Sequence, residues 1–218
     1  MSQCQDRTET LGVGSLRLDD ENFCYRTTPP PLDPSDRKKV VSAILSSKRR
    51  PTGPNIRVFN QKSRALARNP QVRSAYRSLS SSIKRHTGAR GPVDVLACEW
   101  AQPHSDQGFV GTIIYSAVLH TGAHDYVMQV FHTEHNSNGY EELIKTELLL
   151  RAGVAFIFDP TRVHFTSPLR PHQEALLVLL QVELDDCTDD ARRAILERLP
   201  PVCDAPRRSR SDQPPSER

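Results

Sequence analysis

The stretch "GVAFIFDPTRVHFTSP" (residues 153–168) packs several structural signals into sixteen residues. Gly153 suits a tight turn, Val154 to Phe158 form a short continuous apolar run, and Asp159-Pro160 makes a corner. A second run opens at Val163-His164 and closes at Pro168. Four to five apolar residues bounded by turn signals predict a buried strand rather than a helix. Outward from here the same signature repeats. "VDVLACEWA" (93–101), "GTIIYSAVL" (111–119), "DYVMQVFHT" (125–133), "ELLL" (147–150), "RVHFTS" (162–167) and "EALLVLLQVEL" (174–184) are short apolar or alternating runs. "HTGAH", "HNSNGY", "RAG" and "SPLRPHQ" separate several of them as turns. Short strands at this spacing predict an antiparallel sandwich or barrel.

Upstream the period changes. "DPSDRKKVVSAILSSKRR" (33–50) predicts a helix capped by Asp33 or Ser35, with Val40, Val41, Ile44 and Leu45 at helical spacing. "IRVF" (56–59) predicts a short strand. "NPQVRSAYRSLSSSIKRH" (69–86) predicts a second helix, with Asn69 as cap, Pro70 in the first turn, and Val72, Ala75, Tyr76, Leu79 and Ile83 on one face. "TGARGP" ends it. Helices followed by a run of strands give an α+β fold. The expected organisation is a partly disordered segment over 1–30, a basic helical segment over 31–90 packing on the core, a strand-built core over 91–186, a short helix over 187–203 ("DDARRAILERL") and a disordered Pro/Ser/Arg-rich tail over 204–218.

No run approaches the ~20 apolar residues of a membrane span, and "MSQCQDRTET" lacks the apolar core of a signal peptide. Five cysteines without a C-x-x-C pair argue against a disulfide framework or a structural zinc site. A cytoplasmic protein is expected. Between Arg37 and Arg90 there are fifteen Lys/Arg and no acid; from Gly91 onward eleven Lys/Arg face nineteen acids. The basic block could bind a polyanion such as nucleic acid, or simply present solvated helices. Base-stacking aromatics are scarce in it, only Phe59 and Tyr76.

The chemistry-bearing residues are His104-Ser105-Asp106, in "PHSD" after the first apolar run, and His164, sixty residues after His104. Residues two apart on a strand face the same side, so imidazole and carboxylate can reach one ion together. With eight His and 26 acids in 218 residues, such a triplet also arises by chance, and His132-Thr133-Glu134 is a second one. His164, arriving from a distant strand, distinguishes the first. Two His and one carboxylate make up the facial triad of non-haem Fe(II) oxygenases, which leaves positions open for cosubstrate and dioxygen. His132, Glu134 and His135, leading straight into the turn "NSNG", read as a strand end at a pocket mouth. Trp100 reads as a core or pocket residue.

Across residues 93–184 the order and spacing of "PHSD", "GTIIYSAVL" and "GVAFIFDPTRVHFTSP" resemble the iron- and 2-oxoglutarate-dependent oxygenases, with Pro168 four residues beyond the distal His. The resemblance implies a double-stranded β-helix (jelly-roll) core preceded by helices, and His104, Asp106 and His164 as ligands of Fe(II). It also implies 2-oxoglutarate as cosubstrate, converted to succinate and CO2 while a C–H bond of a small metabolite is oxidised. Asp106 in place of Ala or Gly favours hydroxylation over halogenation. "IRVFNQKSRALARNPQVRSAYR" (56–77) is similar to the segment before the core in the branch that hydroxylates free amino acids, such as the bacterial isoleucine dioxygenases. There is one departure. The family holds the far carboxylate of 2-oxoglutarate with a basic residue on the strand after the distal His, and "EALLVLLQVEL" has none. Arg170, in the preceding turn, is the substitute anchor, and Tyr115 could add a supporting hydroxyl. Two further readings stand beside the small-metabolite enzyme: an oxygenase acting on nucleic acid or another polyanion through residues 37–90, and a non-catalytic jelly-roll binding module.

Overall fold

A computed structural model describes residues 24–27, 29–48, 54, 56–106, 113–122, 125–135, 138–169 and 176–184; the side chains of Tyr25, Arg26, His132, Glu134, His135, Glu142 and Ile144 lie outside this description. The sequence signals for helices translate directly. Helix α1 (Pro34–Leu45) begins where the Asp33 carboxylate accepts from the Asp36 backbone N–H at 2.9 Å, and it buries Val40, Val41 and Ile44. A single turn, α2 (Arg64–Ala67), which the sequence reading did not anticipate, buries Leu66. Helix α3 (Pro70–Thr87) is capped by Asn69, which accepts from Gln71 N–H at 2.8 Å. Its buried face is the expected one, Val72, Ala75, Tyr76, Leu79 and Ile83. Gly88 ends it with φ +71°, a left-handed conformation that glycine adopts without a Cβ clash.

The strands are β1 (Cys24–Thr27), β2 (Arg57–Phe59), β3 (Asp94–Cys98), β4 (Ala101–His104), β5 (Ile114–His120), β6 (Tyr126–His135), β7 (Glu141–Leu150), β8 (Ala155–Phe158), β9 (Val163–Pro168) and β10 (Leu177–Glu183). They form a larger sheet, β1-β8-β5-β10-β3-β2, and a smaller one, β4-β9-β6-β7. Every pairing is antiparallel. From β3 to β10 the chain visits the sheets in the order large, small, large, small, small, large, small, large. That succession, wound around one space, is a double-stranded β-helix, as expected from the sequence.

Both faces of the larger sheet are covered, which is why its strands read as continuous apolar runs. On one face Val95, Tyr115, Ala117, Ile157, Val178 and Leu180 pack under α1 and α3. On the other, Cys98, Ile114, Val118, Phe156, Phe158, Leu177 and Leu179 meet Tyr126, Met128, Val130, Leu148 and Leu150 of the smaller sheet. An antiparallel sheet with one wet face would alternate instead.

Three expectations need correction. The apolar run 93–101 is not one strand: the chain breaks at Glu99-Trp100 and crosses from β3 in one sheet to β4, which carries His104, in the other. Trp100 therefore sits on the crossover, 38% exposed, neither in the core nor lining the cavity. The run "ELLL" is the inner end of a ten-residue strand whose outer half, with Glu141, Leu143 and Lys145 exposed, carries no apolar pattern. Strand β1, pairing Cys24 with Phe158 at the sheet edge, comes from the N-terminal segment and showed no sequence signal. The helix expected over 187–203 and the tail over 204–218 lie outside the described residues. Among the described residues, no helix is long and apolar enough to cross a membrane.

Candidate metal centre

Strand β4 is an edge strand of the smaller sheet, and Pro103, which has no N–H to donate, is tolerated there with its side chain exposed. Between β4 and β9, Ala101 pairs with Thr166 and His104 with His164. Three steps on β4 match two on β9, so β4 bulges, and the bulge turns His104 to lie beside His164. Their ring centroids are 4.4 Å apart.

Asp106 arrives differently from the sequence expectation. It lies two residues beyond the end of β4, so strand pleat does not place it. Its backbone N–H donates to the Pro160 carbonyl at 2.9 Å, tying the chain to the β8–β9 corner. That corner is itself fixed, because the Asp159 carboxylate accepts from the Thr161 backbone N–H and hydroxyl at 2.9 and 2.6 Å. Asp159 is thereby occupied with the turn, and Asp106 faces the histidines. Its carboxylate oxygens lie 3.7 Å from His104 Nε2 and 3.9 Å from His164 Nε2. The ligand atoms of the three residues all fall within 4.8 Å of one another, the sole such group of His, Cys, Asp and Glu among the described residues.

The imidazoles are oriented for one task. His104 Nδ1 lies 2.6 Å from the Gln102 carbonyl, and His164 Nδ1 lies 2.8 Å from the Arg162 carbonyl. A carbonyl only accepts, so each Nδ1 carries the hydrogen and each Nε2 presents a lone pair towards Asp106. Such backbone anchoring is the usual outer support of metal-binding histidine. Burial holds the His164 pKa below its ordinary 6.5, and the adjacent His104 acts the same way, against the opposing pull of the Arg162 carbonyl and Asp106. His164 is 5% exposed, and the Phe158 ring meets it edge-on with centroids 4.9 Å apart. Two imidazole nitrogens and one carboxylate form a donor set suited to a divalent first-row metal with positions left open.

The triad lines a cavity of about 540 Å³ between the sheets. Its inner walls are apolar, with Leu96, Met128, Phe156, Leu177 and Leu179. The Cys98 thiol, 3.8 Å from the Thr166 hydroxyl, is pushed up to about 11 by burial and is not a nucleophile at neutral pH.

Tyr115 does not join the site. It is fully buried on the helix-covered face of the larger sheet, its ring centroid 5.9 Å from that of His86. Its neighbour Ser116 faces the cavity side and donates to Gln181 Oε1 at 3.3 Å. Arg170 lies outside the described residues, as does the turn that carries it. No Lys or Arg is among the described residues lining the cavity. Asp94 and Gln181, which the sequence reading passed over, do line it. Asp94 shares the period-two parity of Leu96 and Cys98, and the structure shows that this parity meets the cavity.

No family model matches the sequence, and no curated relative does. Similar solved structures include a non-haem α-ketoglutarate-dependent carbocyclase, SnoK, from nogalamycin biosynthesis: 15% identity over 80% of this chain and 84% of that one, TM-score 0.46. The non-haem α-ketoglutarate-dependent epimerase SnoN of the same biosynthesis shows 13% identity over 73% and 76%, TM-score 0.46. AviO1 from Streptomyces viridochromogenes Tue57 shows 12% over 77% and 96%, TM-score 0.44. With identities this low and TM-scores below 0.5, what the present chain does has to be read from its own residues.

Proposed function

We propose that the chain is an Fe(II)- and 2-oxoglutarate-dependent oxygenase that oxidises a small molecule held between the two sheets, an amino acid or natural-product intermediate being the class of substrate that fits. The observation that carries this is the His104–Asp106–His164 triad, set in the cavity wall with both Nε2 atoms free of backbone partners and directed at one carboxylate.

His104, Asp106 and His164 would hold the iron. Bound there, iron supplies oxidative decarboxylation of 2-oxoglutarate by dioxygen, giving succinate and CO2 with one oxygen atom inserted into a substrate C–H. The protein's own part is positional. The Gln102 and Arg162 carbonyls fix both histidines in the tautomer that binds metal. Burial lowers the His164 pKa and so favours its neutral form, and the Phe158 ring packs edge-on against it. Met128, Phe156, Leu177 and Leu179 keep bulk water from the reacting atoms. For the far carboxylate of 2-oxoglutarate we assign Arg170, since β10 carries no basic residue and none lines the cavity among the described ones.

The exposed Lys38, Lys39, Arg73, Arg77 and Arg85 sit on α1 and α3, which cover the opposite face of the larger sheet from the triad. A polyanion bound along those helices would lie on the wrong side of that sheet for its own oxidation, which favours the small-molecule reading. The test is succinate formation from 2-oxoglutarate by the full chain with Fe(II), oxygen and reductant. The expected outcome is iron-dependent succinate that disappears in Asp106→Ala. Equal, iron-independent background in both proteins would leave the non-catalytic binding module as the better account.

A further inference from the structure

The cavity differs in chemistry from one end to the other. At the crossover end, Cys98 pairs with Leu177, and the walls are apolar. Four residues back along β3, about 13 Å at strand rise, Asp94 pairs with Gln181 and both face the cavity. Strand β4 runs back from the same crossover, so His104 lies about 10 Å beyond it on the opposing sheet, towards the Asp94 end. Sheets packed face to face stand about 10 Å apart. Asp94 and the triad therefore look at one another across the cavity, separated by roughly the length of a small metabolite.

Asp94 is half-buried and, among the described residues, no ion pair or hydrogen bond reaches its carboxylate. Its neighbours on the lining are Gln181, whose oxygen is taken by Ser116, and Glu183, a second acid. Ile56 and Val58 also line the cavity and are 38% and 56% exposed, so apolar side chains stand open to solvent at its mouth. Desolvation raises the Asp94 pKa above its ordinary 3.8, because burial penalises the anion. A cation placed beside it would offset that penalty.

We propose that Asp94 is the residue that selects the occupant of this cavity, and that the occupant is a cationic amine with an apolar body. The ammonium group sits on Asp94, the apolar body lies along Ile56, Val58 and Leu96, and the carbons several bonds from the nitrogen face the triad. This rests on the oxygenase reading only in calling the occupant a substrate; the binding preference stands on the cavity alone.

The test is calorimetric titration of the full chain at neutral pH with three probes of equal length: n-hexylamine, hexanamide and hexanoate. A desolvated, charge-assisted pair predicts that the amine binds about tenfold or more tightly than the amide, with hexanoate weakest. Asp94→Asn abolishes the gap between amine and amide, and Asp94→Glu retains it. Equal affinities for amine and amide in the wild type, or a gap that survives in Asp94→Asn, would overturn the assignment. Fe(II) and 2-oxoglutarate are titrated in parallel, watching the visible metal-to-cosubstrate band. Amine selectivity that depends on Asp94, in a protein giving no such band, would sink the oxygenase reading and leave the amine pocket standing. A band without amine selectivity would do the reverse.

Discussion

The two faces of the larger sheet use the same strands for opposite ends. On the helix side, Tyr115, Ala117, Ile157 and Leu180 are at most 1% exposed and pack without interruption under α1 and α3. On the cavity side, alternate residues of those strands and of β3 include Phe158, Gln181 and Asp94, which border a space of about 540 Å³ left unfilled by protein. Close packing on one face supplies the rigidity that an open, polar-spotted face lacks. Along β3 and β8 the residues that line the cavity are of one parity, and substitutions one position apart on those strands should have different consequences.

That contrast can be broken most sharply at Tyr115. Tyr115→Ala removes a fully buried ring from the helix side and is expected to cost about 3–5 kcal/mol in chemical denaturation, leaving Fe(II) affinity unchanged. A loss of metal binding in the folded variant would mean the faces are not separable. On the same sheet, Phe158→Ala strips the ring from against His164. Its stability cost should be smaller than that of Tyr115→Ala, since one side of the ring borders the cavity, while Fe(II) affinity should fall about tenfold, as for loss of an outer support.

Asp94→Asn should go the other way. A carboxyl whose folded pKa is raised lowers stability at neutral pH, where the anion must be kept, and the deficit is relieved as pH falls through the folded value towards 3.8. The apo variant should therefore melt higher than the wild type at pH 7, with the difference closing near about pH 4. An unchanged or lower melting temperature at pH 7 would remove the sign that this carboxylate is kept at the expense of stability. The smallest effect is at His120, whose pKa burial lowers from 6.5. The unfolded chain takes up that proton first, so the group's contribution is full above pH 6.5 and is lost as pH falls below it. His120→Gln should flatten the stability profile slightly between about pH 7 and 5.5.

Much of this was legible in the sequence because the local signals and the fold agree. Asp33 and Asn69 sit at helix starts where their oxygens find backbone N–H groups, and the apolar face of α3 is the face that is buried. Strands β8 and β9 read clearly because Gly153, with φ +88°, and the Asp159 turn punctuate them. Elsewhere the pattern misled for physical reasons. A strand that switches sheets at Glu99-Trp100 keeps an almost unbroken apolar run, so the crossover was invisible. Tyr115 fell on the wrong side because, with both faces apolar, a period of two assigns parity but does not say which parity meets the cavity. Spacing and the family resemblance single out His104, Asp106 and His164, which do lie together, yet Asp106 is placed by a main-chain bond to Pro160 and His104 by a bulge, neither of which a strand pattern encodes. Asp94 hid as one acid at the edge of an apolar run.

The most direct measurement is an anaerobic titration of the apo-protein with Fe(II) and then 2-oxoglutarate, recorded in the visible. A metal-to-cosubstrate charge-transfer band should grow in the wild type, be absent in Asp106→Ala, and require more 2-oxoglutarate in Arg170→Ala. No band in wild-type protein that has bound iron, or a band of full intensity in Asp106→Ala, would contradict the account.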